Sequence, residues 1–189
     1  MKKITAFIGS PKTNGVTTQI IESMKDNSTD VEFNMIHLYD KNLSGCKACG
    51  YCKTETKTDF CSIKDDMLEM YKMLENSDYI IFGSPIYFGT FTGVSKLFID
   101  RMYALISKDF KAPTLKDKKI VTVTTSGAKK EVFCIPTSKF YVDWFNDFFG
   151  MDLVAQINAG DFMSDKEKLA EDHKAILEAT KIAETILSN

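Results

Sequence analysis

Arginine is almost absent from this chain: of its 24 basic residues only Arg101 is an arginine. Planar, bidentate forks for phosphate and carboxylate are therefore nearly missing, and a phosphate must be held by hydroxyls and backbone N–H groups. Histidine is almost as scarce. His37 and His173 are the only two, and for both a structural role is preferred over a catalytic one. No apolar run approaches the roughly 20 residues that span a bilayer. No lysine block marks a nucleic-acid or anionic-membrane surface, and the net charge is only −2. Met1-Lys2-Lys3-Ile4 runs straight into a strand pattern and leaves no room for the apolar region of a signal peptide, so a cytoplasmic protein is expected. Repeats and low-complexity tracts are missing too. With 189 residues, 44% of them hydrophobic, the chain suits one domain over residues 1–189 with a full core.

The most informative stretch is Phe7-Ile8-Gly9-Ser10-Pro11-Lys12-Thr13-Asn14-Gly15-Val16-Thr17-Thr18. A near-continuous apolar run from Lys3 to Ile8 fits a parallel strand buried on both faces. It passes into a loop of Gly, Ser, Thr and Asn, then into the helical spacing Val16, Ile20, Ile21, Met24. Free N–H groups, hydroxyls and a helix N-terminus together make an anion site. The Lys-Ser/Thr ending of nucleotide triphosphatase loops is missing, as is the three-glycine dinucleotide fingerprint. A phosphatase loop would need an internal cysteine, and none is present.

Further along, residues 31–38 alternate as an edge strand does, and residues 39–63 hold no period. That long connection carries Cys46, Cys49, Cys52 and Cys61, and a loop of this length in a compact domain is usually functional. Asp65 and Asp66 read as the first turn of a second helix, where carboxylates suit the dipole. Residues 78–83 form a third strand leading into Ser84-Pro85-Ile86-Tyr87-Phe88-Gly89, followed by a helix from Val94 to Leu105. Residues 119–125 form a fourth strand ending in Ser126-Gly127-Ala128. A very aromatic helix spans residues 138–149, a fifth strand 151–159, and a last helix 165–187 with Leu169, His173, Ile176, Thr180, Ala183 and Leu187 as its stripe.

Strands alternating with helices predict an α/β fold, a doubly wound five-stranded parallel sheet of order 2-1-3-4-5 with helices on both faces. In such sheets ligands bind at the carboxyl ends of the strands, beside the switch point between strands one and three. The three polar loops follow strands one, three and four and so converge there. A phosphate on the first, with aromatic and glycine-rich loops beside it, suits a planar ligand bearing a phosphate, and flavin mononucleotide (FMN) is the natural candidate. A receiver-type signalling domain of the same topology would need an aspartate ending strand three, where this chain has Gly83-Ser84.

These residues resemble the NAD(P)H-dependent FMN reductases and, within them, the iron–sulfur flavoprotein branch of the flavodoxin-like superfamily. The likeness rests on Gly9-Ser10-Pro11 with Asn14 and Thr17, on Cys46-x2-Cys49-x2-Cys52 with Cys61, on Ser84 to Gly89, and on Lys96 to Arg101. It implies phosphate contacts from Ser10, Lys12, Asn14, Thr17 and Thr18. It implies flavin-ring contacts from Pro85, Ile86, Tyr87, Phe88 and Gly89 and from Thr125, Ser126 and Gly127. It implies an oxidoreductase in which NAD(P)H or another donor reduces FMN and the flavin passes electrons to a small acceptor, with no catalytic side chain outside the cofactor sites. For the iron–sulfur branch, a ferredoxin would be the electron source.

Four cysteines so spaced resemble the set that wraps a four-iron, four-sulfide (4Fe-4S) cluster. A tetrahedral zinc site, redox-active thiols and a metal-free loop stay open beside it. The eight residues between Cys52 and Cys61 exceed the spacing usual in the iron–sulfur branch, and Cys134 reads as a bystander. Six rings between Phe140 and Phe149 exceed what one buried face takes, so a homodimer or homotetramer is expected, and neither nucleic acid nor membrane as a partner.

Overall fold

The computed structural model describes residues 1–162, 169, 170 and 173–187. Its strands are β1 (Lys2–Ile8), β2 (Val31–His37), β3 (Tyr79–Tyr87), β4 (Thr90–Phe91), β5 (Lys119–Thr125) and β6 (Asp152–Ala159). Its helices are α1 (Val16–Asp26), α2 (Met67–Asn76), α3 (Gly93–Arg101), α4 (Cys134–Phe149) and α5 (Lys174–Leu187). Five strands pair in parallel in the order β2-β1-β3-β5-β6, and β4 pairs antiparallel with the end of β3. The expected order 2-1-3-4-5 is thus corrected to 2-1-3-5-6 with a side strand. The added strand arises because β3 does not stop at Gly83: Ser84 to Tyr87 continue it and turn back at Phe88 and Gly89.

Alternation along β1 divides the core. Phe7 faces one side with Phe82 and Ile120, against α2, α3 and α4. Ile4, Ala6 and Ile8 face the other with Ile81, Val121 and Val123, against α1 and α5. The central strands β1, β3 and β5 are buried almost throughout; β1 and the first half of β3 run apolar for that reason, and β5 buries Thr122, Thr124 and Thr125 among its Ile and Val. At the edge, β2 is half-buried along its length.

Two helices depart from their expected limits. The α4 helix begins at Cys134, four residues early, because Pro136 falls in its first turn, where N–H groups have no intrahelical partner to lose. The expected start of the last helix at Asp165 lies outside the described residues, and Leu169 and His173 are not helical. The buried stripe of α5 is Ala175, Ala179 and Ala183, small side chains that let it lie close to α1. His173 serves this helix start, its Nδ1 accepting the Ala175 N–H at 3.2 Å. No helix among the described residues is long and apolar enough to cross a membrane.

Candidate functional site

The loops after β1, β3 and β5 meet at the carboxyl end of the sheet and are tied to one another. Gly9 N–H donates to the Gly83 carbonyl at 2.7 Å, and the Thr92 hydroxyl donates to the Gly9 carbonyl at 2.8 Å. Thr17 and Thr125 join their hydroxyls at 2.8 Å, linking α1 to the end of β5. A side chain at Gly9 would force Ser95 to shift, since its Cβ would lie 1.7 Å from Ser95 Oγ. That close approach rests on a buried web in which Ser84 Oγ accepts from the Thr92 N–H and the Ser95 hydroxyl, each at 3.2 Å. Thr92 also caps α3 by accepting the Ser95 N–H. Thr92 and Ser95 were not anticipated from sequence, although Thr92-Gly93-Val94-Ser95 carries the spacing of an N-cap.

At the start of α1 the cap is Gly15, with no side chain to bond the first-turn N–H groups. The positive end of the helix therefore faces the loop, and Lys12 and Asn14 are exposed beside it. Ser10 is buried, accepting from the Lys12 N–H and donating to the Lys12 carbonyl. Thr18 is buried as well and donates to the same carbonyl at 3.1 Å. Of the five expected phosphate residues, Lys12 and Asn14 are exposed, whereas the hydroxyls of Ser10, Thr17 and Thr18 brace the loop from inside. An uncapped helix N-terminus walled by hydroxyls fits a terminal phosphate.

The second loop is a two-residue hairpin. Phe88 and Gly89 both have positive φ, 51° and 76°, which a tight primed turn demands and which a phenylalanine rarely accepts. Phe88 is fully exposed, Tyr87 half-exposed, and Pro85 and Ile86 are more covered. The hairpin is fastened to α4, with Thr137 donating to the Gly89 carbonyl at 3.0 Å and Thr90 bonding the Tyr141 hydroxyl at 3.0 Å. In the third loop Thr125 and Ser126 are buried and Gly127 is exposed. Ser126 donates to the Ala128 carbonyl at 2.7 Å, and its own oxygen accepts from the Cys134 thiol at 3.2 Å. Burial pushes the Cys134 thiol up. Gly160 closes this loop: a Cβ there would meet Lys130 N at 2.4 Å, a constraint the sequence did not reveal.

The connection between β2 and α2 crosses the same end of the molecule. Cys46, Cys49, Cys52 and Cys61 all line one cavity of about 300 Å³, together with Lys47, Lys53 and Arg101 and no carboxylate. All four thiols are free. Among the described residues no three Cys, His, Asp or Glu side chains are gathered as a ready-made metal site. The structure therefore brings the four thiols to one wall without bringing them to one ligand sphere. The Ser62 hydroxyl, 3.2 Å from Cys49 Sγ, draws that thiol below its ordinary range. A soft, thiolate-only donor set amid cations fits an anionic thiolate cluster better than a hard oxygen-ligated cation.

Charge holds this connection in place. Arg101, 2% exposed, donates through Nη1 to Asp65 Oδ2 at 2.8 Å and to the Ser44 carbonyl at 2.9 Å, and through Nη2 to Asp65 Oδ1 at 3.1 Å. Asp65 accepts the Ser44 N–H at 2.9 Å, and Asp66 the Asn42 N–H at 2.8 Å. Burial works to raise the Asp65 carboxyl, but the bonds from Arg101 and Ser44 outweigh it and hold the carboxyl below its usual range. These aspartates do stand at the helix start: α2 begins at Met67, Asp66 is its N-cap residue, and Asp65 Oδ1 accepts the Met67 N–H at 3.2 Å. What the helix-start reading lacked is that Asp65 is also half of a buried ion pair with Arg101. Lys53 adds a second clamp, donating to the carbonyls of Tyr103 and Ile106 while lying 4.0 Å over the Tyr103 ring.

Residues 2–133 match the family model described as NADPH-dependent FMN reductase. An iron-sulfur flavoprotein of Methanocaldococcus jannaschii is 37% identical over 101 residues, covering 52% of this chain and 51% of the relative. Another from Methanosarcina thermophila is 31% identical over 129 residues, covering 67% and 64%. The chain thus spans between half and two thirds of these curated relatives. Among solved structures, the Trp repressor binding protein of Bacillus subtilis superposes with a TM-score of 0.67 at 21% identity, over 96% of this chain and 99% of that one. An FMN-dependent NADH-azoreductase from Bacillus anthracis, in complex with FMN, gives 0.66 at 14% identity, over 100% and 98%. With the family model covering well over half its length, this chain belongs to the NADPH-dependent FMN reductase family.

Proposed function

We propose that this chain is an FMN-dependent oxidoreductase that passes electrons from NAD(P)H through bound FMN to a small acceptor. The observation that carries it is the fastening of three strand-end loops around the uncapped N-terminus of α1. The phosphate would take the first-turn N–H groups of α1 together with Lys12 and Asn14, in a loop shaped by Ser10, Thr17 and Thr18. The ring would lie between Pro85 to Gly89 and Thr125 to Gly127, with Tyr87 and Phe88 along its rim. When bound, FMN supplies the hydride acceptance and electron transfer, and the protein contributes orientation and access. Tyr103, Phe140 and Trp144 leave aromatic surface exposed beside α3 and α4, which supports a homodimer or homotetramer.

A second reading, an iron–sulfur flavoprotein drawing electrons from a ferredoxin, is favoured by the thiol cavity and its three cations. Helix α3 connects the two sites, since Thr92 at its start belongs to the flavin loops and Arg101 at its end to the cavity. Nine helical residues rise about 13 Å, so a 4Fe-4S cluster held by Cys46, Cys49, Cys52 and Cys61 would stand one short helix from the flavin loops. Anaerobic purification, acid release of flavin and iron quantification test both readings together. FMN with NAD(P)H-driven bleaching supports the first, and about four irons per chain adds the second. Recovery of FAD, or of no flavin after reconstitution with FMN, would sink both.

A further inference from the structure

The guanidinium of Arg101 carries five N–H donors. Both terminal nitrogens are bonded, with three N–H groups going to Asp65 and Ser44, whereas Nε is buried and has no hydrogen-bond partner at all. Proteins seldom leave a buried donor unpaired, and least of all on a charged group. This side chain also lines the cavity of the four cysteines, where Lys47 and Lys53 are the other charged residues and no carboxylate competes for the N–H. Cys61 lines this cavity with Arg101, and its neighbour Phe60 is linked through Tyr71 to the Arg101 main chain. The Phe60 ring packs on Tyr71 at 5.1 Å, and the Tyr71 hydroxyl donates to the Arg101 carbonyl at 2.8 Å.

We propose that Arg101 is a positioning residue of the thiol cavity, whose Nε–H is the donor aimed at the sulfur of Cys61 when that sulfur carries charge. The bidentate pair with Asp65 fixes the plane of the guanidinium, so the remaining N–H direction is set by the fold before any metal arrives. Lysine could not substitute, because a single ammonium cannot hold Asp65 end-on and still point a fixed donor elsewhere. A hydrogen bond to sulfur stabilises the more negative, reduced state of a thiolate-bound cluster and raises its potential. The proposal deepens the cluster reading given above, but its first test needs only a thiolate and no iron.

Because the chain has one arginine, uniformly 15N-labelled protein gives a single arginine Nε–H resonance. In metal-free protein Nε–H has no acceptor, and adding zinc, a diamagnetic ion that makes the cavity's sulfurs thiolates, should shift this resonance and slow its exchange with water at least tenfold. Cys61→Ser should abolish that response, while Cys46→Ser, at an exposed position of the same cavity, should keep it. A resonance indifferent to zinc in the native chain, or a response that survives Cys61→Ser, overturns the proposal. In iron-loaded protein Arg101→Lys should lower the cluster potential by a tenfold change in the reduction equilibrium, ~59 mV for one electron. An unchanged potential at equal iron content also overturns it. Failure to take up any iron would remove the cluster reading while the resonance still decides the role of Arg101.

Discussion

The loop from Gly9 to Gly15 and the connection from Leu38 to Asp66 border the same end of the sheet and are held by different forces. The first is short and kept in shape by neutral groups, the hydroxyls of Ser10, Thr17, Thr18 and Thr92, which bond to backbone or, for Thr17, to the Thr125 hydroxyl. The second is long, with only two single turns of 3-10 helix, and is held by Arg101–Asp65 and by Lys53 against the end of α3. The difference suits what each is proposed to surround. A site for a phosphate gains from N–H groups and the helix dipole, and fixed carboxylates near it would repel the ligand. A wall of thiols gains from nearby cations, and a buried cation needs a carboxylate of its own, placed outside the cavity.

The sharpest way to break the comparison is to remove that carboxylate. Asp65→Ala leaves Arg101 buried without its counter-ion and should cost about 3–5 kcal/mol in urea unfolding. Limited proteolysis should then cut first between residues 41 and 64, leaving the β1 loop intact. The pH dependence has a definite sign. The Asp65 carboxyl is held below its unfolded value, near 3.9, so its contribution is complete above that pH and is lost as pH falls through the lower folded value. Asp65→Asn should flatten that acid limb. An acid limb unchanged in Asp65→Asn would move the titrating anchor elsewhere.

On the neutral side the larger effect is steric. Gly9→Ala sets its Cβ 1.7 Å from Ser95 Oγ and should cost about 1–3 kcal/mol as overpacking. Ser95→Ala in the same chain removes that atom but leaves Ser95 Cβ and Thr92 Oγ1 at 3.1 Å, so recovery should be partial. A double-mutant cycle measures it. Additive costs would mean that the loop moves away from α3 instead of pressing on it.

The sheet was legible because β1 and β3 carry the apolar runs that a doubly covered parallel strand needs, and β5 the β-branched Ile, Val and Thr that favour a strand. The strand, loop and helix around Gly9 to Gly15 were legible because an apolar run gives way to Gly, Ser, Thr and Asn and then to helical spacing. The ion pair was not. Asp65 and Arg101 lie 36 residues apart, and an aspartate before an apolar helix looks the same whether it caps or pairs. Its trace was the solitude of Arg101 among so many lysines, a hint that one site needed a planar fork. Gly160 and the web of Ser84, Thr92 and Ser95 were hidden for a related reason: their constraints come from close approach between distant segments, which no local pattern records.

The smallest expected effect concerns Thr17, where the two roles of the phosphate loop can be separated. Its hydroxyl bonds Thr125 inside the protein, while its backbone N–H lies in the first turn of α1, where no intrahelical carbonyl is available. Thr17→Val removes the hydroxyl and keeps the N–H, so stability should fall by about 1 kcal/mol because Thr125 is left buried without its partner. Replacing Thr125 by Val as well should recover most of that loss, since two apolar groups of the same shape leave nothing unsatisfied. FMN affinity, measured by fluorescence titration, should change by less than about 1.4 kcal/mol, a factor of ten, because the backbone donor survives. A loss nearer 3 kcal/mol, the upper range for a bond to a charged group, would put the Thr17 hydroxyl on the phosphate and make its bond to Thr125 a resting arrangement that the ligand displaces.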